Sequence, residues 1–516
     1  MAIPSPLFPK WNIIVLLTIV AGFIAFFIGF ASAQTSEVPE VEWNKTFGGN
    51  EWDSGQSVQI TSDGGYIIVG RTESFGAGQS DVYLIKTNVN GTKQWEKTLG
   101  GSDADSGYAV QQTSDSGYII AGYTFSFGPN YVDVYLVKTD SNGNMQWQRT
   151  FGMSGIPSAD NRGYSVKQTS DSGYIIAGTT QSQSAGGKAY LIKTDSNGNL
   201  QWEKKFTRRT AGENVSLYFA GAKDVQQTSD GGYIIVGHTG LVLEPKTYLI
   251  KTDSNGNMQW DRTFSKGEWN TGESVQITSD SGYIISATEH IGEEGHDVYL
   301  IKTDSNGNMQ WDRTFDGSKY DYGYEVQQTS DGGYIIVGDT SQAGGNSSAW
   351  LIKADSFGGY RWDKVLGGID YDGGSSVKQT SDSGYIIAGW TKSFGAGESD
   401  VWLIKMASPI TRESCVRQPT HSLPPNYTAG PWSFDIAEVN GDGLVIRNLM
   451  AVNNPLLEEL SIPRFKLTHK IVGGFQEIAI EFNETTDFHH HQQGNIERDI
   501  NTGIDTLYWG FEKKFN

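Results

Sequence analysis

The sequence predicts an all-β chain: a seven-bladed β-propeller closed by its N-terminal strand, followed by a small all-β C-terminal module. Three observations predict it. First, one sentence of residues is written seven times between Trp43 and Lys405, marked by Tyr66, Tyr118, Tyr174, Tyr233, Tyr283, Tyr334 and Tyr385. Those tyrosines stand 50 to 59 residues apart, a period that means stacked repeats. Second, the apolar runs Tyr-Ile-Ile and Tyr-Leu-Ile are continuous, so both faces of those strands are covered. Third, the two ends of the array are out of phase. Trp43 begins a tryptophan strand with nothing before it, and Val401 to Lys405 has no tryptophan strand after it. An open superhelix would leave both unpaired, whereas a ring pairs them.

The chain opens on a segment outside the fold, residues 1–33. Lys10 precedes an apolar run from Ile13 to Phe30, and Ala31-Ser32-Ala33 is a small-residue cleavage site. The run is long for a signal peptide and just long enough to span a bilayer. Cleavage after Ala33 is the favoured reading, and an uncleaved membrane anchor is the other. Both place the rest of the chain outside the cytoplasm, at the cell surface or beyond it. Six Asn-x-Ser/Thr sequons, at Asn44, Asn90, Asn214, Asn346, Asn426 and Asn483, would make a glycoprotein in a glycosylating host.

The propeller is expected over residues 41–406, and its second repeat shows the plan. Ala109–Thr113 reads as strand A, Tyr118–Thr124 as B, Asp133–Thr139 as C and Gln146–Phe151 as D. Ser114-Asp115-Ser116-Gly117 turns A into B. Asn142-Gly143 reads as a two-residue hairpin, because both central residues of a type I′ turn need positive φ. Four antiparallel strands per unit make a propeller blade. The repeated tryptophan is expected between blades, where burying such a ring removes roughly 200 Å² from water, about 5 kcal/mol before entropy.

Composition suits short strands and tight turns: 64 glycines, with 15 Trp, 24 Tyr and 23 Phe. The formal charge of −20 argues against nucleic acid as a partner, since phosphate binding needs clustered Lys and Arg. A single cysteine, Cys415, excludes a disulfide or a cysteine zinc site within one chain.

Antiparallel order puts the A–B and C–D turns on one face and the B–C and D–A loops on the other. The first face is monotonous, and the second varies from blade to blade. Function usually sits in loops hung on a rigid scaffold, so the variable face is the expected binding surface. It carries aromatics beside carboxylates: Trp52 and Asp53, Glu268 and Trp269, Tyr320 with Asp321 and Tyr322, Tyr371 and Asp372. Aromatic platforms with carboxylate acceptors suit sugars or polar peptide groups. Asp53, Asp105, Asp321 and Asp372 recur in register, which favours a structural turn for the aspartates themselves.

Asp140-Ser141-Asn142-Gly143-Asn144 and its copies lack the distal glutamate and the length of a calcium loop. His290 and His296 sit six residues apart on one expected loop with Glu293 and Glu294, where solvent rather than metal is the favoured partner. Thr113 to Gly117 nearly matches the Asp-box of sialidases, a structural turn, with Ile120 where an aromatic belongs. No arginine cluster or nucleophile of that family accompanies it.

The hairpin Leu249 to Trp260 resembles the tryptophan-docking repeat of quinoprotein propellers. The whole repeat, with its Asp-Gly-Gly-Tyr-Ile-Ile-x-Gly form over Trp43 to Lys405, resembles uncharacterised secreted propellers of archaea and bacteria. That resemblance implies an extracytoplasmic surface protein with no established reaction.

Pro409, Pro419, Pro424 and Pro425 mark a linker over 407–429. Residues 430–516 alternate apolar and polar as a β-rich module of about ninety residues, enough for a modest core. Gly430-Pro431-Trp432-Ser433-Phe434 with Asp442 to Ile446 resembles the opening of a copper amine oxidase catalytic domain, without the Asn-Tyr-Asp/Glu motif. His489 and His491 could share one strand face and bind a metal such as copper.

The reading is therefore an exported, non-catalytic recognition scaffold binding a surface glycan or protein through its variable loops. No cofactor is assigned, with copper and calcium left open. Membrane contact is expected only through an uncleaved N-terminal segment. The alternative is a copper- or quinone-dependent, amine-oxidase-like oxidoreductase, or a remnant of one, centred on the C-terminal domain. A third is a purely structural surface component.

Overall fold

The computed structural model describes residues 38–408 except 153–158, 183–185, 209–217, 242, 293–294 and 342–344. Beyond 408 it describes the backbone of eight further strands. No α-helix occurs among the described residues, and so no helix there is long and apolar enough to cross a membrane. The apolar run from Ile13 to Phe30 lies outside them.

The first strand is β1 (Val41–Phe47). Blade 1 is β2 (Asp53–Ile60), β3 (Tyr66–Thr72), β4 (Asp81–Thr87) and β5 (Lys93–Leu99). Blade 2 is β6 (Asp105–Gln112), β7 (Tyr118–Thr124), β8 (Asp133–Thr139) and β9 (Met145–Phe151). Blade 3 is β10 (Asp160–Gln168), β11 (Tyr174–Ser182), β12 (Gly186–Thr194) and β13 (Leu200–Phe206). Blade 4 is β14 (Tyr218–Gln227), β15 (Tyr233–Leu241), β16 (Glu244–Thr252) and β17 (Met258–Phe264). Blade 5 is β18 (Trp269–Ile277), β19 (Tyr283–His290), β20 (His296–Thr303) and β21 (Met309–Phe315). Blade 6 is β22 (Asp321–Gln328), β23 (Tyr334–Ser341), β24 (Ser347–Ala354) and β25 (Tyr360–Leu366). Blade 7 is β26 (Asp372–Gln379), β27 (Tyr385–Thr391) and β28 (Asp400–Met406), completed by β1.

The ring is a closed seven-bladed β-propeller. β1 runs antiparallel to β28, from Val41 opposite Met406 to Phe47 opposite Val401. Blade 1 is bound in turn to the blade so completed: Asp53 N donates to Ser399 O at 2.8 Å and Val58 N to Ser376 Oγ at 3.1 Å. The middle strands are buried on both faces, as continuous apolar runs require; Ile67, Ile68, Leu84 and Ile85 are fully excluded from solvent.

Each outer-strand tryptophan packs at a tilt against the first tyrosine of the next blade, with ring centroids 5.8 to 6.2 Å and planes 53 to 62° apart. The tyrosine is buried, but the tryptophan is only half-buried in every blade except at Trp362. The expected full burial is corrected accordingly. The outer strand has solvent on one side, so the ring covers its neighbour without being covered itself.

Two further expectations are corrected. The C–D connection is not a two-residue type I′ turn. Only its glycine has positive φ, as at Gly143 (77°), while Asp140 O accepts from Gly143 N and Asp140 Oδ1 accepts from Asn142 N and Asn144 N. The aspartate side chain thus organises a longer loop, a type I turn followed by a left-handed glycine. Strand A also starts four residues earlier than the sequence suggested. Asp105 pairs with Thr124, so Asp-x-Gly is strand rather than turn, and the register shifts between Gly107 and Ala109, a bulge at Tyr108.

On the monotonous face every blade buries its strand-C lysine against the A–B turn aspartate. The pairs are Lys86–Asp63, Lys138–Asp115, Lys193–Asp171, Lys251–Asp230, Lys302–Asp280, Lys353–Asp331 and Lys405–Asp382, all within 3.0 Å. Burial raises each aspartate. Bonds from the threonine hydroxyl, the lysine ammonium and a glycine N–H outweigh it, holding Asp63, Asp115, Asp171, Asp230 and Asp280 at about 2. A depressed carboxyl adds stability that is whole above its ordinary value near 3.8 and is lost as pH falls toward 2. The melting temperature should therefore drop steeply across that window. Replacing Asp63, Asp171 and Asp230 together by Asn should make the drop shallower; an unchanged profile would mean that acid breaks something else.

Inner strands are stitched through paired glutamines. Gln168 N donates to Gln111 Oε1 and Gln379 N to Gln327 Oε1, both at 2.6 Å, each tying a blade to the one before it. Ile277 N and Gln328 N meet Gln226 and Gln276 in the same way. The second glutamine reaches back: Ser114 N donates to Gln168 Oε1 at 2.9 Å and Ser330 N to Gln379 Oε1 at 2.8 Å.

Contacts divide the chain into Met1–Ser414 and Cys415–Asn516. In the second unit Tyr427–Ala429, Trp432–Asn440 and Gly443–Ala451 form one three-stranded sheet. Glu459–Ile462, Phe465–Val472 and Phe475–Phe482 form another, and Ile496–Arg498 pairs with Asp505–Leu507. His489 and His491 lie outside the described residues.

Candidate ligand-binding face

The inner strands of all seven blades enclose an axial cavity of about 380 Å³. Each inner strand starts at the variable face and ends at the monotonous one. The glutamines therefore lie toward the monotonous end, and the bulge residues lie toward the variable end.

Backbone pairing sets four rings in a row on the variable face. Trp269 pairs with His290 and His290 with His296, and a bridge joins His296 to Tyr320 across the seam between blades 5 and 6. Trp269 stacks on His290 at 5.2 Å and 29°, and His290 lies 4.8 Å from His296. His296 stacks on Tyr322 at 5.1 Å and 30°, and Tyr320 lies 5.6 Å from it. The two histidines are thus facing strand ends, not members of a solvated loop. His290 Nδ1 meets Gly295 O at 2.9 Å, and its Nε2 lies 3.6 Å from the exposed Glu268 carboxylate. Burial, aided by His290, pushes His296 below its ordinary value.

Of the residues expected from sequence, Glu268, Trp269, Tyr320 and Tyr322 are brought together at this seam. A second patch lies where blades 7 and 1 meet. There Trp52 packs 6.3 Å from Trp390 under Lys392 Nζ at 4.3 Å, and the exposed Tyr371 accepts a bond from Lys392 N through its carbonyl.

Asp53, Asp321 and Asp372 are fully buried beneath the face. Asp53 Oδ2 accepts from Gly49 N and Ser74 Oγ, and Asp372 Oδ2 from Gly368 N and Ser393 Oγ. Asp321 accepts from Gly317 N and from Ser318 N and Oγ. These three brace the loops that carry the aromatics. Asp297, Asp316 and Asp321 also bring carboxylate oxygens within 4.8 Å of one another.

Diversity is not confined to loops, as the sequence suggested. The residue after the strand-B glycine, which is Ala287 in blade 5, is Arg71, Tyr123, Thr179, His238, Thr288, Asp339 and Trp390 in successive blades. The strand-A bulge holds Gln56, Tyr108, Tyr164, Lys223, Glu273, Tyr324 and Ser375. Members of the two columns touch one another, as Tyr108 does Tyr123 at 5.7 Å and Tyr324 does Asp339 at 3.2 Å. Tyr108 lies 5.0 Å from Tyr164, Lys223 Nζ lies 4.8 Å over Tyr164 and 3.1 Å from Glu273, and Arg162 covers Tyr123 at 4.6 Å. Burial, with Lys223 adding to it, holds His238 neutral, down at about 4. Superposing the seven repeats column by column would have exposed these positions.

The fold and this face define a β-propeller with an aromatic and polar surface at one end of its axis. No protein-family model matches the chain, and no curated protein matches it in sequence. Among solved structures it is similar to a protein of unknown function from Dyadobacter fermentans, at 10% identity over 71% of this chain and 99% of that one, TM-score 0.42. It is also similar to one of unknown function from Bacteroides caccae, at 13% identity over 56% and 92%, TM-score 0.36. A polysaccharide lyase matches at 11% identity over 74% and 96%, TM-score 0.43.

Proposed function

We propose that the protein is an exported recognition scaffold that binds a saccharide through the variable face of its propeller, with no reaction of its own. The observation that carries this reading is the row Trp269, His290, His296, Tyr320 and Tyr322, edged by Glu268. Flat rings offer faces to the C–H surface of a sugar, and carboxylates and imidazoles accept or donate to its hydroxyls. The opposite face has its aspartates and lysines bound to one another and presents little free chemistry. Export rests on the N-terminal run and small-residue site. The residues of the oxidoreductase alternative, His489 and His491, lie outside the described part, so nothing in the geometry favours it.

The test is a glycan array on residues 34–516, followed by calorimetry on the best ligand. Trp269→Ala and Tyr320→Ala should each weaken binding about tenfold or more, since aromatic anchors dominate such interfaces, and leave the melting curve near the parent's. An array with no saccharide ligand, or a ligand indifferent to both changes, sinks the proposal.

A further inference from the structure

The axial cavity, at about 380 Å³, falls within the span of small-molecule sites, about 300–1,000 Å³. One register row lines it all round: glutamine in five blades, Lys167 in blade 3 and Lys378 in blade 7. At four seams the row's glutamine Oε1 accepts an N–H of the next blade, from Gln168, Ile277, Gln328 and Gln379. A backbone N–H can only donate, so each stitch holds the amide oxygen and leaves the amide nitrogen over. Gln226 Nε2 donates to Val275 O, whereas Nε2 of Gln111, Gln276 and Gln327 makes no hydrogen bond among the described residues. None of those three nitrogens is shut off from solvent.

Lys167 breaks the row. A lysine has donors only, so the seam between blades 3 and 4 lacks the oxygen that four other seams carry. Gln227 N, the N–H in the corresponding place, has no such oxygen to meet. Lys167 itself is half-buried, lines the cavity, and makes neither hydrogen bond nor ion pair among the described residues. Lys378, its counterpart in blade 7, is paired with Glu325. The carboxylates that line the cavity are engaged as well. Glu325 also accepts from Ser376 Oγ and Val377 N, and Asp224 accepts from Ser165 Oγ, Val225 N and Val275 N. The side-chain oxygens at this level are thus taken, those of Gln59 and Ser274 apart, and the unmatched groups are an ammonium and amide N–H donors. Charged and neutral donors converging without an acceptor are what recognises an oxyanion.

We propose that the axial cavity binds a small oxyanion, a carboxylate, sulfate or phosphate group, whose oxygen takes the place at Lys167 that a glutamine Oε1 fills at the other seams. The site lies toward the monotonous end of the axis and does not rest on the saccharide reading of the opposite face. The group arrives either as a free anion or carried on a sugar.

The experiment is calorimetry on residues 34–516 with sulfate, phosphate, glucuronate and, as the uncharged match of the last, glucose, at neutral pH and constant ionic strength. Lys167→Gln writes the residue of five other blades into blade 3. It removes the cation and supplies the missing oxygen for Gln227 N, so its melting temperature should equal or exceed the parent's. Support is saturable binding of at least one anion that weakens about tenfold or more in Lys167→Gln, the worth of one hydrogen bond to a charged group, and survives in Trp269→Ala. Sulfate or phosphate binding identifies a free anion; glucuronate binding with glucose silent identifies an acidic sugar. No anion binding, or anion binding indifferent to Lys167→Gln, overturns the site. Glucuronate binding lost in Trp269→Ala and untouched by Lys167→Gln overturns it too, and leaves the saccharide face standing. Anion binding lost in Lys167→Gln, on a protein that takes no saccharide, keeps the cavity site and sinks the saccharide reading.

Discussion

Removing residues 41–47 is expected to abolish the folded propeller, not merely to weaken it. The strand supplies the whole outer edge of blade 7, pairing from Val41 opposite Met406 to Phe47 opposite Val401. It also supplies Phe47, buried with Val58, Tyr66, Ile386 and Leu403, and Trp43, packed at a tilt against Tyr66 of blade 1. Losing a buried phenylalanine alone costs about 3–5 kcal/mol, and the unpaired edge of β28 adds to it. A total above about 5 kcal/mol reaches the range of an entire domain's stability. Urea titration followed by tryptophan fluorescence should show no cooperative transition in the truncated protein. A midpoint close to the parent's would mean that the ring does not need its clasp.

The second large effect is expected at the glycine of the C–D loop. Gly256 has φ of 73°, and a Cβ there would lie 2.6 Å from the Trp202 ring of the preceding blade. Gly256→Ala therefore meets a backbone cost of about 1–2 kcal/mol and an overpacking cost of about 1–3 kcal/mol. Gly332 is the control. Its φ is 78°, nothing lies within 4 Å of its missing Cβ, and serine occupies the same turn position at Ser116, Ser172, Ser281 and Ser383. Gly332→Ala should cost only the backbone part. Equal losses at the two sites, read from urea midpoints, would show that the tryptophan contact is immaterial.

Much of the fold is legible in the residues because it is repeated. The bounds of Tyr118–Thr124 and Asp133–Thr139 are legible in full, since continuous apolar runs ending at Thr and a turn leave little choice. Closure was legible from the offset between Trp43 and Val401. The bulge at Tyr108 was not, because one extra residue leaves no mark on a short alternating strand. The true form of the hairpin is not legible, because Asn142-Gly143 signals a two-residue turn only when its neighbours stay out of it. Here Asp140 bonds around it to Asn144.

At the candidate face, the aromatics of the loops could be picked out by type, but not their company. His290 and His296 look like loop residues among Gly292 and Gly295, and only strand pairing makes them neighbours of Trp269 and Tyr322. Asp339 reads as one more polar residue at the end of a strand. Its seclusion depends on Tyr324 and on Gly374 from another blade.

The glutamine stitches join blades 4 to 5, 5 to 6 and 6 to 7 in unbroken succession, whereas Lys167 and Lys378 replace the forward glutamine in blades 3 and 7. The arc that holds Trp269, Tyr320 and Asp339 is therefore tied by the forward glutamine at three consecutive seams. A guest arriving there would meet a surface already in its final shape, forfeiting little motional freedom on association. Discrimination between close chemical variants can then come from fit alone, without any rearrangement of the host.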